Sequence, residues 1–356
     1  MKELEDLVKG WRALPDGTPV ILATVVATSG STYRKPGAKM LITPDKWVAG
    51  SISGGCLESD LTQSAWEKTE SGPTLVTYDA TADEDILWGY GLGCNGTVQV
   101  FLERIDEPGG PLAFFSDCYE RGVAGVVSTV LSHGPEFGRH AYVMDESRTV
   151  GLETFEGVTR FFDPVTPRLE LFVFGAGHDS LPLVRLGKAL GWRVTVVDKR
   201  AQALSKERFS EADSLIVCAP EDVAKKVILG ARSAVVLMTH HYLHDRQLLQ
   251  YALGSPASYV GLLGPKRRAE RLLSDLRDDG FVATEAQVER LHAPIGLDIG
   301  AEGPDEIALA IVAEIQAFLK RKQPASLRES DVPIHAASDA LLPTEALSTT
   351  QCGLLA

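Results

Sequence analysis

The sequence predicts an α/β protein in which an irregular α+β domain precedes a doubly wound parallel sheet. Three observations predict it. From residue 169 to residue 279, short apolar runs alternate evenly with helical stretches, the texture of strands covered by helices on both faces. Within that region Gly175-Ala176-Gly177 follows one such strand and opens a helix, and Asp198 closes the next strand. Before residue 163 the alternation is missing, and β-branched runs are broken up by turns instead.

The elements follow in order. Residues 2–14 have an amphipathic helical period, Pro15-Asp16-Gly17 signals a turn, and Val20–Val26 is a β-branched run. Further strands are predicted at Lys39–Thr43, Thr74–Tyr78, Thr97–Glu103 and Ala124–Leu131, with helices over 57–69 and 111–121. The stretch 132–168 mixes Gly, Pro and short strands, and Asp163-Pro164-Val165-Thr166-Pro167 reads as a linker. After it come strands at Leu169–Phe174, Arg193–Val197, Ser214–Cys218, Ala234–Thr239 and Ser258–Leu263. Helices are expected at 178–190, 221–229, 243–253, 266–279 and 304–322, the last with Ile307, Ile311 and Ile315 on one face. The tail from Pro324 has no sustained period. The expected domains are therefore 1–165, 166–323 and an extension, 324–356.

Composition excludes several function classes. A chain of 356 residues that is 44% hydrophobic and 23% charged has enough apolar material for two cores and is not a disordered chain. Its net charge of −13 disfavours general binding to nucleic acid or anionic membranes. The N-terminus lacks the basic and apolar blocks of a secretory signal, and no run reaches membrane-spanning length, so a cytoplasmic protein is expected. Five cysteines, an odd number without a Cys-x-x-Cys pair, argue against a disulfide framework and a structural zinc site.

Two thiols stand apart from the others. Gly54-Gly55-Cys56-Leu57-Glu58 places Cys56 after two glycines and at a helix start, where unpaired N–H groups stabilise a thiolate. Such a thiol suits a soft metal ligand, a sulfur carrier or a nucleophile. Glu58 is either a helix-start acid or a proton donor to a ligand. Cys94, in Gly91-Leu92-Gly93-Cys94, is the second thiol in a glycine-rich loop. Cys118 and Cys218 lie in apolar contexts that suit buried structural residues.

The second domain offers an anion site. Gly175 permits the tight turn, Gly177 lets a phosphate approach the helix start, and Asp198 is placed for a ribose hydroxyl pair, with His178 inside the turn and Ser180 where a third glycine is usual. That is a Rossmann-like arrangement, and an NAD(P)-dependent oxidoreductase is one reading of it. Lys266 and Arg267 stand at a helix start, where the dipole disfavours cations; they either face a phosphate or form a solvated face. His240 and His241 lie at the carboxyl edge of a strand, where such sheets bind ligands.

Taken together, Gly54-Gly55-Cys56-Leu57-Glu58, Gly91-Leu92-Gly93-Cys94, Phe174-Gly175-Ala176-Gly177-His178, Tyr259-Val260-Gly261-Leu262-Leu263-Gly264 and Ala293-Pro294-Ile295-Gly296-Leu297-Asp298-Ile299-Gly300-Ala301-Glu302 resemble the XdhC/CoxI family. The resemblance implies an accessory factor that binds molybdenum cofactor, in its molybdopterin or dinucleotide form, and supports its sulfuration. It also implies insertion of the cofactor into a molybdenum hydroxylase such as xanthine dehydrogenase or carbon monoxide dehydrogenase. A cysteine desulfurase as a second partner and a homodimer belong to the same implication, as does a chaperone role in place of turnover. Cys56 is then the thiol near molybdenum, Cys94 a second candidate, and the turn from Gly175 to His178 the nucleotide-like pocket. A scaffold that contacts a hydroxylase without holding cofactor is the remaining alternative.

Overall fold

The computed structural model describes residues 2–79, 96–105, 109–329 and 341–342. It divides into two compact units. One comprises Arg168–Ser326 with Lys2, and the other Glu3–Pro167 with the described part of the segment after Ser326.

The N-terminal unit begins with helix α1 (Lys2–Arg12) and strands β1 (Val20–Gly30), β2 (Lys39–Ile42) and β3 (Trp47–Gly50). Helix α2 (Cys56–Lys68), β4 (Thr74–Asp79) and β5 (Gly96–Ile105) follow. The five strands form an antiparallel sheet in the order β3-β2-β1-β5-β4. Because β1 is central and covered on both faces, its apolar run is unbroken: Ile21, Ala23 and Val25 pack with Leu61 and Ala65 of α2, and Val20 and Leu22 pack with Leu7 of α1. Helix α3 (Gly110–Arg121) adds Leu112 and Phe115 to that second cluster. A second antiparallel sheet, in the order β7-β6-β9-β8, is built from β6 (Gly125–Val130), β7 (His140–Val143), β8 (Gly151–Phe155) and β9 (Val158–Val165).

The expected linker at 163–167 is corrected here, because Asp163, Pro164 and Val165 end β9. Pro164 is tolerated there: β8 stops opposite Phe162, so this end of β9 pairs with β6 alone and one side needs no N–H donor. Asp163 is buried, with its Oδ2 2.7 Å from Lys39 Nζ. A second buried pair accompanies it, His140 Nε2 to Glu103 Oε2 at 2.6 Å, with Thr129 Oγ1 3.0 Å from His140 Nδ1. Burial pushes the Glu103 and Asp163 carboxyls up, against the pull of His140 and Lys39.

The C-terminal unit is the expected doubly wound sheet, six parallel strands in the order β12-β11-β10-β13-β14-β15. Its elements are β10 (Glu170–Phe174), α4 (Ser180–Ala189), β11 (Arg193–Asp198), β12 (Ser214–Val217), α5 (Val223–Lys226) and β13 (Ser233–Leu237). They continue with α6 (Tyr242–Gly254), β14 (Tyr259–Leu262), α7 (Lys266–Asp278), α8 (Glu285–Val288), β15 (Leu291–His292) and α9 (Pro304–Leu319). Alternate residues of each strand feed two cores. Leu171, Val173, Val194 and Val196 meet Leu183 of α4 and Ile311 and Ile315 of α9, while Phe172, Phe174, Val235 and Leu237 meet Leu249 of α6 and Leu272 of α7.

Several helices are shorter than the sequence predicts, two of them for visible reasons. The segment 221–229 holds only one 3-10 turn and the four residues of α5, because Val227 turns extended and both it and Leu229 are buried, a two-residue spacing that a helix cannot satisfy. Helix α9 stops at Leu319, and Arg321 takes a left-handed conformation with φ 52°.

Candidate functional site

In this sheet the chain leaves β10 toward β11 and β12 and later returns on the other side with β13, so the carboxyl ends of β10 and β13 mark the switch point where such sheets bind ligands. The two loops leaving those ends touch. Gly175 has φ 122°, and a Cβ on it would lie 2.4 Å from the Met238 carbonyl oxygen, so glycine is required twice over. Ser180, which stands in the third-glycine position, is fully buried and donates from Oγ to the Gly177 carbonyl at 2.8 Å, closing the turn. His240 holds a left-handed φ of 58° and brings its Nε2 to 2.6 Å from Asp179 Oδ2. Asp179 is the residue before α4, and its Oδ1 lies where a Gly177 side chain would begin.

Asp198 closes the same region from β11. Its carboxylate accepts from Ala176 N at 2.8 Å, Arg200 N at 2.8 Å, Arg200 Nε at 2.9 Å and Arg200 Nη2 at 2.7 Å. Burial alone raises this carboxyl, but those donors outweigh it and hold it at about 2. The residue expected to bond a ribose thus has both oxygens engaged by its own chain.

A pocket of about 170 Å³ opens beside it, above β11 and β12 and against the start of α6. Phe174, Val197, Cys218 and Leu248 make its apolar wall; Lys199, Arg200, His241 and His244 make its polar rim. The rim is a connected set. Lys199 Nζ lies 3.0 Å from His244 Nε2, the His241 and His244 rings stack at 3.7 Å, and His241 Nδ1 accepts the His244 amide at 3.4 Å as the helix cap. Burial, then His241 and Lys199, push His244 below the ordinary imidazole range.

Of the residues singled out in the sequence, Gly175, Gly177, Asp198, His240 and His241 meet at this place. His178 is exposed and absent from the pocket wall, as are Lys266 and Arg267 at the start of α7. Their neighbour Arg268 is the engaged cation: it reaches buried Asp245 at 2.7 Å, and Asp245 also accepts from Thr239 Oγ1 at 2.6 Å, which ties α7 to α6 and to the loop after β13. Sequence reasoning missed Lys199 and Arg200, although the signal was available, since both directly follow the acid that ends β11; His244, which the sequence places on one helical face with His241 as a ligand contact, does line the pocket. Cys218 is buried as expected, yet it also lines the pocket.

In the N-terminal unit, Cys56 is the first residue of α2, after Gly55 with φ 121°. The loop before it is organised by Glu58, whose carboxylate accepts from Ser51 Oγ at 2.8 Å, Ile52 N at 3.0 Å, Ser53 N at 2.8 Å, Gly55 N at 3.0 Å and the Ser53 hydroxyl. Burial opposes ionisation, and the bonds from Ser53 and Ser51 overcome it, leaving the carboxyl below its ordinary range. Glu58 therefore positions the Gly54-Gly55-Cys56 backbone. Cys94, with Gly91 and Gly93, lies outside the described residues. Among the described residues no three His, Cys, Asp or Glu side chains group as a metal site, and no helix is long and apolar enough to cross a membrane.

The motif at 293–302 has a structural account. Gly296 N donates to Glu314 Oε2 at 2.9 Å and Leu297 N to the Ala310 carbonyl at 3.2 Å, which seats this loop on α9. Beneath it, a Cβ on Gly261 would lie 2.1 Å from Ile295 Cδ1, so β14 needs glycine where the loop crosses. Tyr259 donates to Glu314 under the same loop, and burial and that carboxylate push its phenol far up.

Comparison with known proteins agrees with these two units. Residues 171–315 match the XdhC Rossmann domain, and residues 13–79 match the XdhC and CoxI family. A Bacillus subtilis (strain 168) protein, named for a probable role as a xanthine dehydrogenase subunit, is 36% identical over 324 residues, covering 86% of this chain and 96% of that protein. The molybdenum cofactor insertion chaperone PaoD of Escherichia coli (strain K12) is 24% identical over 311 residues, 85% of this chain and 84% of its own. A crystal structure described as a xanthine dehydrogenase from Bacillus halodurans superposes with a TM-score of 0.75 at 32% identity, over 93% of this chain and 98% of that one. With family models matched in both units and a 36% identical relative spanned almost from end to end, this chain belongs to the XdhC/CoxI family.

Proposed function

We propose that this protein binds molybdenum cofactor and supports its sulfuration and insertion into a molybdenum hydroxylase of the xanthine dehydrogenase kind. The observation that carries the reading is the donor-rich rim of Lys199, Arg200, His241 and His244 at the switch-point crevice, in a chain related to a molybdenum cofactor insertion chaperone. The residues fit the polar end of such a ligand. Lysine, arginine and imidazole N–H groups suit its phosphate, and the wall of Phe174, Val197 and Leu248 suits a flat ring. Cys56, which opens α2 in the N-terminal unit, offers a thiolate as a sulfur donor for the molybdenum. When bound, the cofactor supplies the redox-active metal that the recipient hydroxylase uses, and this chain's share is to hold it, orient it and release it.

Glu58 serves that task by fixing the backbone from Ser51 to Gly55, so that the residue opening α2 is presented by a rigid turn. Asp198 and Arg200 fix the Gly175–Gly177 turn in the same way. The oxidoreductase alternative draws less support, because the carboxylate that a dinucleotide ribose needs is already saturated.

The test is anaerobic purification from a molybdenum-replete host, with bound pterin assayed by fluorescence after oxidation. Wild type should carry pterin and Cys56→Ala clearly less. Equal pterin in the two removes Cys56 from the reading; no pterin in either, with a rise in melting temperature on adding NADPH, replaces it with the oxidoreductase.

A further inference from the structure

The rim of the switch-point pocket is rich in spare donors. Lys199 uses one of its three N–H groups on His244 and has no carboxylate partner among the described residues. Accepting at Nε2 leaves His244 with its proton on Nδ1, and accepting the helix amide at Nδ1 leaves His241 with its proton on Nε2. Arg200 spends Nε and Nη2 on Asp198, which leaves Nη1 without a partner among the described residues. The carboxylates next to the rim are engaged: Asp198 by Ala176 and Arg200, Asp245 by Thr239 and Arg268, and Asp179 by His240. Glu221 is felt by His244 at a distance and forms no part of the pocket wall.

This composition selects among phosphorylated ligands. A hydroxyl pair brings donors and finds no free carboxylate on the wall, so a ribose gains no contact there unless the Asp198–Arg200 pair breaks, and otherwise stays in solvent. A pyrophosphate diester would seat at the start of α4, where Asp179 already places negative charge against Gly177. A terminal phosphomonoester is acceptor-only and doubly charged near neutrality, and it matches the donors on Lys199, Arg200, His241 and His244. The pocket, at about 170 Å³, is smaller than the roughly 300–1,000 Å³ of whole-ligand sites and suits one ring system.

We infer that the pocket above β11 and β12 is a phosphomonoester site, which holds one flat heteroaromatic body against Phe174 and Leu248 and its terminal phosphate on Lys199, Arg200, His241 and His244, and which excludes dinucleotides. The inference rests on the cofactor reading only for its physiological ligand, where it favours the pterin ending in a phosphate over the dinucleotide form.

Calorimetric titration of the full chain at low salt tests it, with AMP, CMP, cyclic AMP, adenosine and NAD as probes. AMP should bind at least about tenfold tighter than cyclic AMP, adenosine or NAD, the scale of one charge-assisted hydrogen bond or more. Lys199→Ala, at an exposed position, should weaken AMP about tenfold and leave adenosine unchanged. His241→Phe should act in the same direction, with melting temperature checking that both variants fold. Equal binding of CMP and AMP assigns recognition to the phosphate, and a preference between them to the ring wall; both keep the site. NAD or cyclic AMP binding as well as AMP, an unchanged AMP affinity in Lys199→Ala, or no AMP binding up to about 10 mM overturns it. Molybdopterin captured anaerobically as well by Lys199→Ala as by wild type overturns the site and leaves the cofactor reading standing. Selective AMP binding without molybdopterin capture does the reverse.

Discussion

Replacing Asp198 by asparagine tests the claim that this carboxylate pins the Gly175–Gly177 turn. The carboxyl titrates at about 2 in the fold against an ordinary 3.8. At ~1.4 kcal/mol per pH unit, that depression is worth about 2 kcal/mol of stability at neutral pH. A carboxyl held low stabilises the fold fully above its unfolded value and loses that contribution as the pH falls through its folded value. Asp198→Asn should therefore cost about 2 kcal/mol from pH 7 down to pH 5, roughly half of that at pH 3, and only a few tenths near pH 2. Urea unfolding reads the difference. Trp192 is buried in this unit and is the one tryptophan between residues 168 and 326, so its emission, in a chain whose other four tryptophans are phenylalanine, reports the unit by itself. A gap under about 0.5 kcal/mol at pH 7, or one that stays constant between pH 7 and pH 3, would refute the pinning argument.

Three further outcomes follow from the same geometry. Lys39→Met should destabilise the N-terminal unit by about 3–5 kcal/mol at pH 8 by stranding buried Asp163. The loss should shrink at pH 5, since burial pushes this carboxyl up and the folded state gains stability by taking a proton; equal losses in thermal melts at the two pH values would count against it. Gly175→Ala should cost more than about 2 kcal/mol, because its φ of 122° and the Met238 carbonyl both oppose a side chain, whereas Gly230→Ala, with nothing within 4 Å, should stay within about 0.5 kcal/mol in the same denaturation assay. Glu58→Gln should cost on the order of 2 kcal/mol locally and speed amide hydrogen exchange across residues 50–58; unchanged exchange would show that the loop holds itself without the carboxylate.

Much of the second unit was legible because its physics is local. Each strand from β10 to β14 is a short apolar run beside a helical period, and a parallel sheet buried on both faces leaves that mark in the sequence. The Gly-x-Gly turn and Asp198 were legible for the same reason. That Asp198 bonds the turn was not, because Ala176 becomes its partner only when two strand ends meet. The basic run Lys266-Arg267-Arg268 shows the limit clearly. Charge alone does not say which of three cations turns inward, and Arg268 does so because Asp245 waits on the preceding helix, α6. In the first unit, Asp163-Pro164 has the composition of a linker, and only the early end of β8 makes a strand acceptable there.

The contact made by Leu342 gives the N-terminal unit a delay. Leu342 is buried against the cluster of Val26, Phe101 and Phe161, and its backbone exchanges two hydrogen bonds with the side chain of Gln99, 243 residues earlier. At about 5–20 residues per second, the ribosome supplies the second partner roughly 10–50 s after the first. Throughout that interval the sheet that carries β1 and β5 presents an unfilled apolar seat over Phe101, while the whole C-terminal unit is made in between. Nascent chains arrested before residue 341 should bind a hydrophobic dye through that seat, and completion of the chain should release it.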